Sequence, residues 1–237
     1  MPHNKRHVDP DRYYFLTNRT QEGTFLFRPD AECNRIIAGV LARCVEQHDV
    51  ELVCFVFMSN HFHLIARFPD SNMSAFMRDL QSQIADRVNT IRGDRSGTVF
   101  PKPFDDQVLI GADVLLDKIS YVLNNPVKDG LVCCPRDWPG VTSYGCHSDE
   151  KNFVGKWFDA NKWHNLKRRK SVHSKEEALR EYRVQLHVPT SLPGDTPTAR
   201  VKKILTRIEE DRVKFRRNRS VKRRQTPGPE AVKRTSW

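Results

Sequence analysis

Several features are missing from this 237-residue chain, and each absence narrows what it can be. No run of about 18 apolar residues occurs, so no membrane-spanning helix is expected. Residues 1–11 are polar and lack the apolar stretch of a secretion signal. The six cysteines (Cys33, Cys44, Cys54, Cys133, Cys134 and Cys146) are scattered, with no C-x-x-C pair among them. Without a secretion signal, that scatter predicts reduced thiols in a cytoplasmic protein. No internal repeat is visible. Acidic residues are outnumbered, 29 against 40 Lys and Arg, which leaves a net charge of +11.

That charge is unevenly spread. Residues 199–237 hold 14 Lys and Arg against 4 Asp and Glu, so the first 198 residues are close to neutral. A basic C-terminal tail is either a solvated segment or a nucleic-acid contact, and the balance favours nucleic acid. Hydrophobic residues make up 38% of the chain, enough for one sizeable domain with a smaller appendage.

What the chain does have is concentrated in residues 51–68. Residues 52–57 form a continuous β-branched and aromatic run, as expected for a strand buried on both faces. Ser59 and Asn60 make a polar break, and His61-Phe62-His63 opens a second strand. Residues two apart on a strand share a face, so the two imidazoles lie side by side. Together they make half of a divalent-metal site.

Around this hairpin the chain reads as α+β, with helices packed on an antiparallel sheet. A short aromatic strand is predicted over residues 13–17. A helix follows over 31–47, capped by Asp30. A second helix over 75–91, with Ser74 as its cap, carries Arg78, Arg87 and Arg92 on its outer face. The turn-rich loop after it holds Asp94 and Arg95. Pro101 and Pro103 exclude a central strand there, and residues 107–110 suit a short one. The next helix, 112–125, is stopped by Pro126. Its Tyr121 and Asn125 are four apart and share a face. Beyond residue 145 the pattern weakens. Residues 151–188 read as a short helical extension with a helix over 176–186. Residues 189–237 read as a linker and a basic tail, partly disordered, with 201–218 compatible with a helix that orders only on binding.

Two imidazoles and an amide oxygen would leave a cation with open positions for a phosphate oxygen. A neighbouring phenol could attack that phosphate. Each half is weak alone: a His-x-His triplet arises by composition, and a tyrosine on an apolar helix is more often a core residue. A zinc site from Cys133, Cys134, Cys146 and His147 is disfavoured, because adjacent cysteines suit one tetrahedral ion poorly.

The order and context of the two halves are more specific. Residues 57–65 (FMSNHFHLI) resemble the His-hydrophobic-His motif of single-tyrosine HUH transposases. Residues 119–132 (ISYVLNNPVKDGLV) resemble the tyrosine helix of the REP-associated tyrosine transposase branch, and residues 138–144 its next block. The similarity runs from about residue 13 to 144, placing a catalytic domain over 1–150. It implies a ferredoxin-like core and a DNA transposase that cleaves and rejoins single-stranded DNA near a hairpin. In that scheme His61, His63 and Asn125 bind Mg²⁺ or Mn²⁺. Tyr121 forms a 5′-phosphotyrosine link and releases a 3′-OH. Where the branch carries a Trp-x-x-Arg-type stretch, this chain has residues 99–104, with Lys102 the one basic residue left. Arg19, Arg78, Arg87, Lys102 and Lys128 are the candidate DNA contacts. A catalytically silent nucleic-acid-binding relative is the alternative, acting as monomer or homodimer.

Overall fold

The computed structural model describes residues 6–93, 97–149, 151–169, 174–221 and 225–234. Asp94, Arg95 and Lys170 lie outside these. The core is a four-stranded antiparallel sheet of β1 (Tyr13–Arg19), β2 (Glu51–Phe57), β3 (His61–Arg67) and β4 (Asp105–Leu109), in the order β2-β3-β1-β4. Helices α1 (Ala31–Gln47) and α2 (Met73–Arg92) cover one face, and α3 (Ala112–Leu123) the other. The α+β architecture expected from the sequence is present.

Strands β2 and β3 are buried along most of their length because both faces are covered, whereas β4 is an edge strand with four of its five residues exposed. Phe62, Leu64 and Ala66 of β3 enter the α1/α2 core, while Ile65 enters the α3 core. A bulge between Leu52 and Cys54 resets the alternation of β2. Helix α1 starts as predicted, with the Asp30 carboxylate accepting from the Cys33 N–H at 2.8 Å. Helix α2 starts two residues before the predicted point, after Asn72, and ends at Gly93 in the left-handed conformation.

Pro126 stops α3 but does not end helical structure. It sits in the first turn of a four-residue helix, α4 (Asn125–Lys128), where a missing N–H costs nothing. Gly130, at φ 73°, closes α4: its N–H donates to the Val127 carbonyl, and Leu131 N–H to that of Pro126. Helix α5 (Tyr144–Ser148) follows.

Two segments differ from the sequence expectation. Residues 151–188 hold helix α6 (Ala160–Arg168) but also a second, two-stranded sheet of β5 (Phe153–Phe158) and β6 (Leu179–Val184). The predicted helix over 176–186 is mostly this strand. The pair is held by close contact with α1, where Gly155 sits against the Ala38 carbonyl. That long-range contact overrides local propensity. Residues 197–221 form the long helix α7 (Pro197–Val221), followed by α8 (Pro229–Arg234). Ile204 and Ile208, one turn apart, are buried in the α3 core. Two anchors in so charged a stretch leave little amphipathic signal, which is why the segment reads as a tail.

His147 in α5 is buried against the Val53 backbone, and its pKa is pushed down to about 4 by loss of hydration. The unfolded chain takes up that proton near pH 6.5, so the residue contributes full stability above 6.5 and progressively less as pH falls towards 4. The loss amounts to about 3 kcal/mol. Urea titrations at pH 7 and 4 should therefore show a smaller pH-dependent loss in His147→Leu than in the unchanged protein.

Candidate active site

Alternation along β3 sends Phe62 and Leu64 into one core and leaves His61 and His63 on the opposite face, beside α3. Their rings are 4.9 Å apart, centroid to centroid. On α3, Leu115, Ile119, Val122 and Leu123 are buried against the sheet, which leaves Tyr121 on the flank. Its ring lies 5.6 Å from that of His63 and edge-on to Phe15 at 6.2 Å. Asn125 opens α4 one turn later and is buried. All four predicted residues line one cleft of about 1030 Å³.

The hydrogen bonds fix the chemistry of His61. The Asn60 side chain donates through Nδ2 to the Gly23 carbonyl at 2.9 Å, which turns its Oδ1 towards the imidazole. His61 Nδ1 is 2.7 Å from that oxygen and so carries the proton. This leaves the Nε2 lone pair of the neutral ring available, an arrangement typical of metal-binding histidines. Burial lowers the pKa of His61, opposed by the Asp129 carboxylate and the Asn125 amide. Burial pushes His63 down to about 3, helped by His61, Lys128 and Lys118. Both effects keep a lone pair on each ring at neutral pH.

Two buried acceptor-capable atoms here have no hydrogen-bond partner: His63 Nδ1 and Asn125 Oδ1. Orphans of this kind are costly in a packed interior and suit an ion. Asn125 is close enough to bias the charge of His61, and its Oδ1 accepts no hydrogen bond. Among the described residues no three His, Cys, Asp or Glu side chains gather to hold a metal. A cation held here would draw on the Asn125 amide oxygen, and two imidazoles with one such oxygen fit a divalent cation with open positions.

The predicted basic residues divide. Arg19, Lys102 and Lys128 line the cleft. Lys102 is held at its rim, where its carbonyl accepts from Asn18 Nδ2 at 3.0 Å. Arg78 and Arg87 are not among the cleft residues. Arg78 pairs with Asp79 at 3.2 Å. Arg87 stacks on Trp157 at 3.6 Å and donates to the Phe158 carbonyl, so it joins α2 to β5. Its helical face reads as solvent-exposed only when β5 is overlooked.

Sequence reading misses Lys118, whose Nζ lies 4.6 Å from the Phe15 ring and 5.5 Å from the Tyr121 ring. The signal available was its position three residues before Tyr121. Lys128 Nζ donates to the Tyr121 hydroxyl at 3.3 Å. An ammonium there is placed to stabilise negative charge on the phenolic oxygen.

The chain shares its fold with a solved REP-associated tyrosine transposase. No model of a known family matches the chain. It is 22% identical over 149 residues to a Haemophilus influenzae protein provisionally named a REP-associated tyrosine transposase, covering 59% of this chain and 84% of that one. It superposes on the structure of a REP-associated tyrosine transposase bound to a REP hairpin with a TM-score of 0.53. That match has 18% identity and covers 63% of this chain and 86% of the other. A provisionally assigned transposase from Deinococcus radiodurans matches at a TM-score of 0.35 and 17% identity, over 52% of this chain and 97% of its own, too distant to argue from. The resemblance to the REP-associated tyrosine transposase branch, read from two motifs, thus holds in sequence and in fold. No helix among the described residues is long and apolar enough to cross a membrane.

Proposed function

We propose that this protein is a metal-dependent transposase that cleaves and rejoins single-stranded DNA beside a hairpin. The observation that carries the reading is the convergence of His61, His63, Tyr121 and Asn125 on one cleft, with two unpartnered acceptors among them. His61, His63 and Asn125 would hold Mg²⁺ or Mn²⁺. When bound, the cation supplies Lewis-acid polarisation of a phosphate and orients it.

The rest of the chemistry belongs to the chain. The Tyr121 oxygen forms a bond to phosphorus while the bond from phosphorus to the 3′ oxygen breaks. The phenolic proton goes to solvent, and the departing 3′ oxygen takes one up to become a 3′-OH. Lys128 and Lys118 offset charge as it builds at the phenolic oxygen and the phosphate. One phosphoester replaces another, so a second 3′-OH can attack the phosphotyrosine and restore the strand without ATP. Arg19 and Lys102 contact the DNA backbone along the cleft, fixing register without reading sequence. The neighbour solved with a REP hairpin supports a hairpin as the DNA partner.

The test is a denaturing gel of protein incubated with single-stranded hairpin oligonucleotides and Mn²⁺. A shifted covalent band is expected, and EDTA should remove it. Asn60→Ala should weaken Mn²⁺ binding, read by calorimetry, roughly 10- to 100-fold, because the proton on His61 is no longer confined to Nδ1. A band insensitive to EDTA would refute the metal requirement.

A further inference from the structure

Helix α7 does more than cover apolar surface. Its buried seam with α3 contains Ile119, Leu123, Ile204 and Ile208, and two buried polar groups interrupt it. Ser120, the residue before the tyrosine, donates through Oγ to Asp211 Oδ2 at 2.8 Å. Asn124, the residue before the predicted amide ligand, donates through Nδ2 to the Ile208 carbonyl at 2.8 Å. Asn124 occupies the joint between α3 and α4, yet its side chain caps neither helix and faces α7 instead. Arg207 extends the network, pairing with Asp117 of α3 at 2.9 Å and with Asp211 at 3.1 Å. Further on, Arg219 donates to the Asp129 carbonyl at 3.2 Å, and the Gly228 N–H to that of Leu131 at 3.0 Å.

An apolar seam alone permits helices to slide with little change in energy. Buried hydrogen bonds at single positions forbid that, because any other register leaves a buried polar group without a partner. Here the two fixed positions are the immediate neighbours of Tyr121 and Asn125. A displacement of the helix by about 1 Å would separate the phenol from the paired imidazoles and cost up to about 100-fold in rate.

We propose that α7 is a brace for the tyrosine helix, with Ser120, Asn124 and Asp211 as positioning residues that hold Tyr121 and Asn125 in register with His61 and His63. The brace is part of the same chain, so the C-terminal segment sets how well the site is assembled. The kinetic half of this inference rests on the proposed strand transfer; the mechanical half does not.

The experiment uses the full chain carrying Asp211→Ala, Asp211→Asn or Ser120→Ala. Hydrogen exchange over residues 112–128 is measured beside the rate of covalent adduct formation on a hairpin oligonucleotide with Mn²⁺, and oligonucleotide binding by anisotropy. Asp211→Ala should raise exchange in that segment by about tenfold or more and slow adduct formation roughly 10- to 100-fold, with binding unchanged. Asp211→Asn keeps an acceptor for Ser120 and should recover most of the rate. Ser120→Ala removes the same hydrogen bond from the other side and guards against a misfolded Asp211→Ala. Unchanged exchange or an unchanged adduct rate in Ser120→Ala would overturn the brace, as would Asp211→Asn as slow as Asp211→Ala. Absence of any adduct in the unsubstituted protein would refute the proposed reaction instead, and the exchange measurement alone would then decide the brace.

Discussion

Tyr121→Phe should abolish the covalent protein–DNA band while leaving oligonucleotide binding and thermal stability nearly unchanged. The substitution removes one oxygen. The ring of Tyr121 is half-buried and packs by its faces and edges against Phe15 and His63, and those contacts survive. The lost hydrogen bond is a 3.3 Å contact from an exposed Lys128, a small term for stability. The nucleophile itself has no substitute in the scheme, so the fall in adduct formation should exceed about 1000-fold. Denaturing gels and anisotropy on the same samples measure both effects. A band of equal intensity in the variant would remove Tyr121 from the reaction.

Gly155→Val should be the most damaging single change to the fold. A Cβ at this position would lie 2.2 Å from the Ala38 carbonyl and 2.6 Å from Ala42 Cβ. A Cβ at Gly39, across the same contact, would lie 2.4 Å from the Lys156 carbonyl. Two glycines therefore permit backbone-to-backbone approach of α1 and β5. Neither clash can be relieved by rotating a side chain, because the obstructing atoms include main chain on both sides. The expected cost is roughly 3 kcal/mol or more, with β5 and the Arg87–Trp157 stack displaced together. Gly145→Ala meets nothing within 4 Å and serves as the control, with a change of less than about 1 kcal/mol. Urea denaturation monitored by tryptophan fluorescence compares the two.

The candidate site was largely legible because it is built from short-range spacing. The His61-Phe62-His63 triplet on a strand and the four-residue step from Tyr121 to Asn125 each fix a shared face. The resemblance brought the two halves together. What spacing could not supply was the environment. Asn60 reads as a turn residue, yet its amide orientation selects the tautomer of His61. Arg87 reads as a surface cation, yet it is held by Trp157, 70 residues on. Helix α7 is the element whose docking is least visible in the sequence, which marks 201–218 as helix-compatible but not as packed. Its two buried isoleucines are outweighed in any sequence average by the charges around them, and its docking depends on Ser120 and Asn124 of a distant helix. The β5/β6 pair was missed for a related reason, since the groove that receives it is made by Gly39.

In the proposed reaction β3 and the α3–α4 joint share one cation beside one phenol. Anomalous scattering from crystals soaked in Mn²⁺ tests it most directly. A single strong peak is expected within bonding distance of His61 Nε2, a nitrogen of His63 and Asn125 Oδ1. A peak elsewhere in the cleft, or one touching only a single histidine, would contradict it.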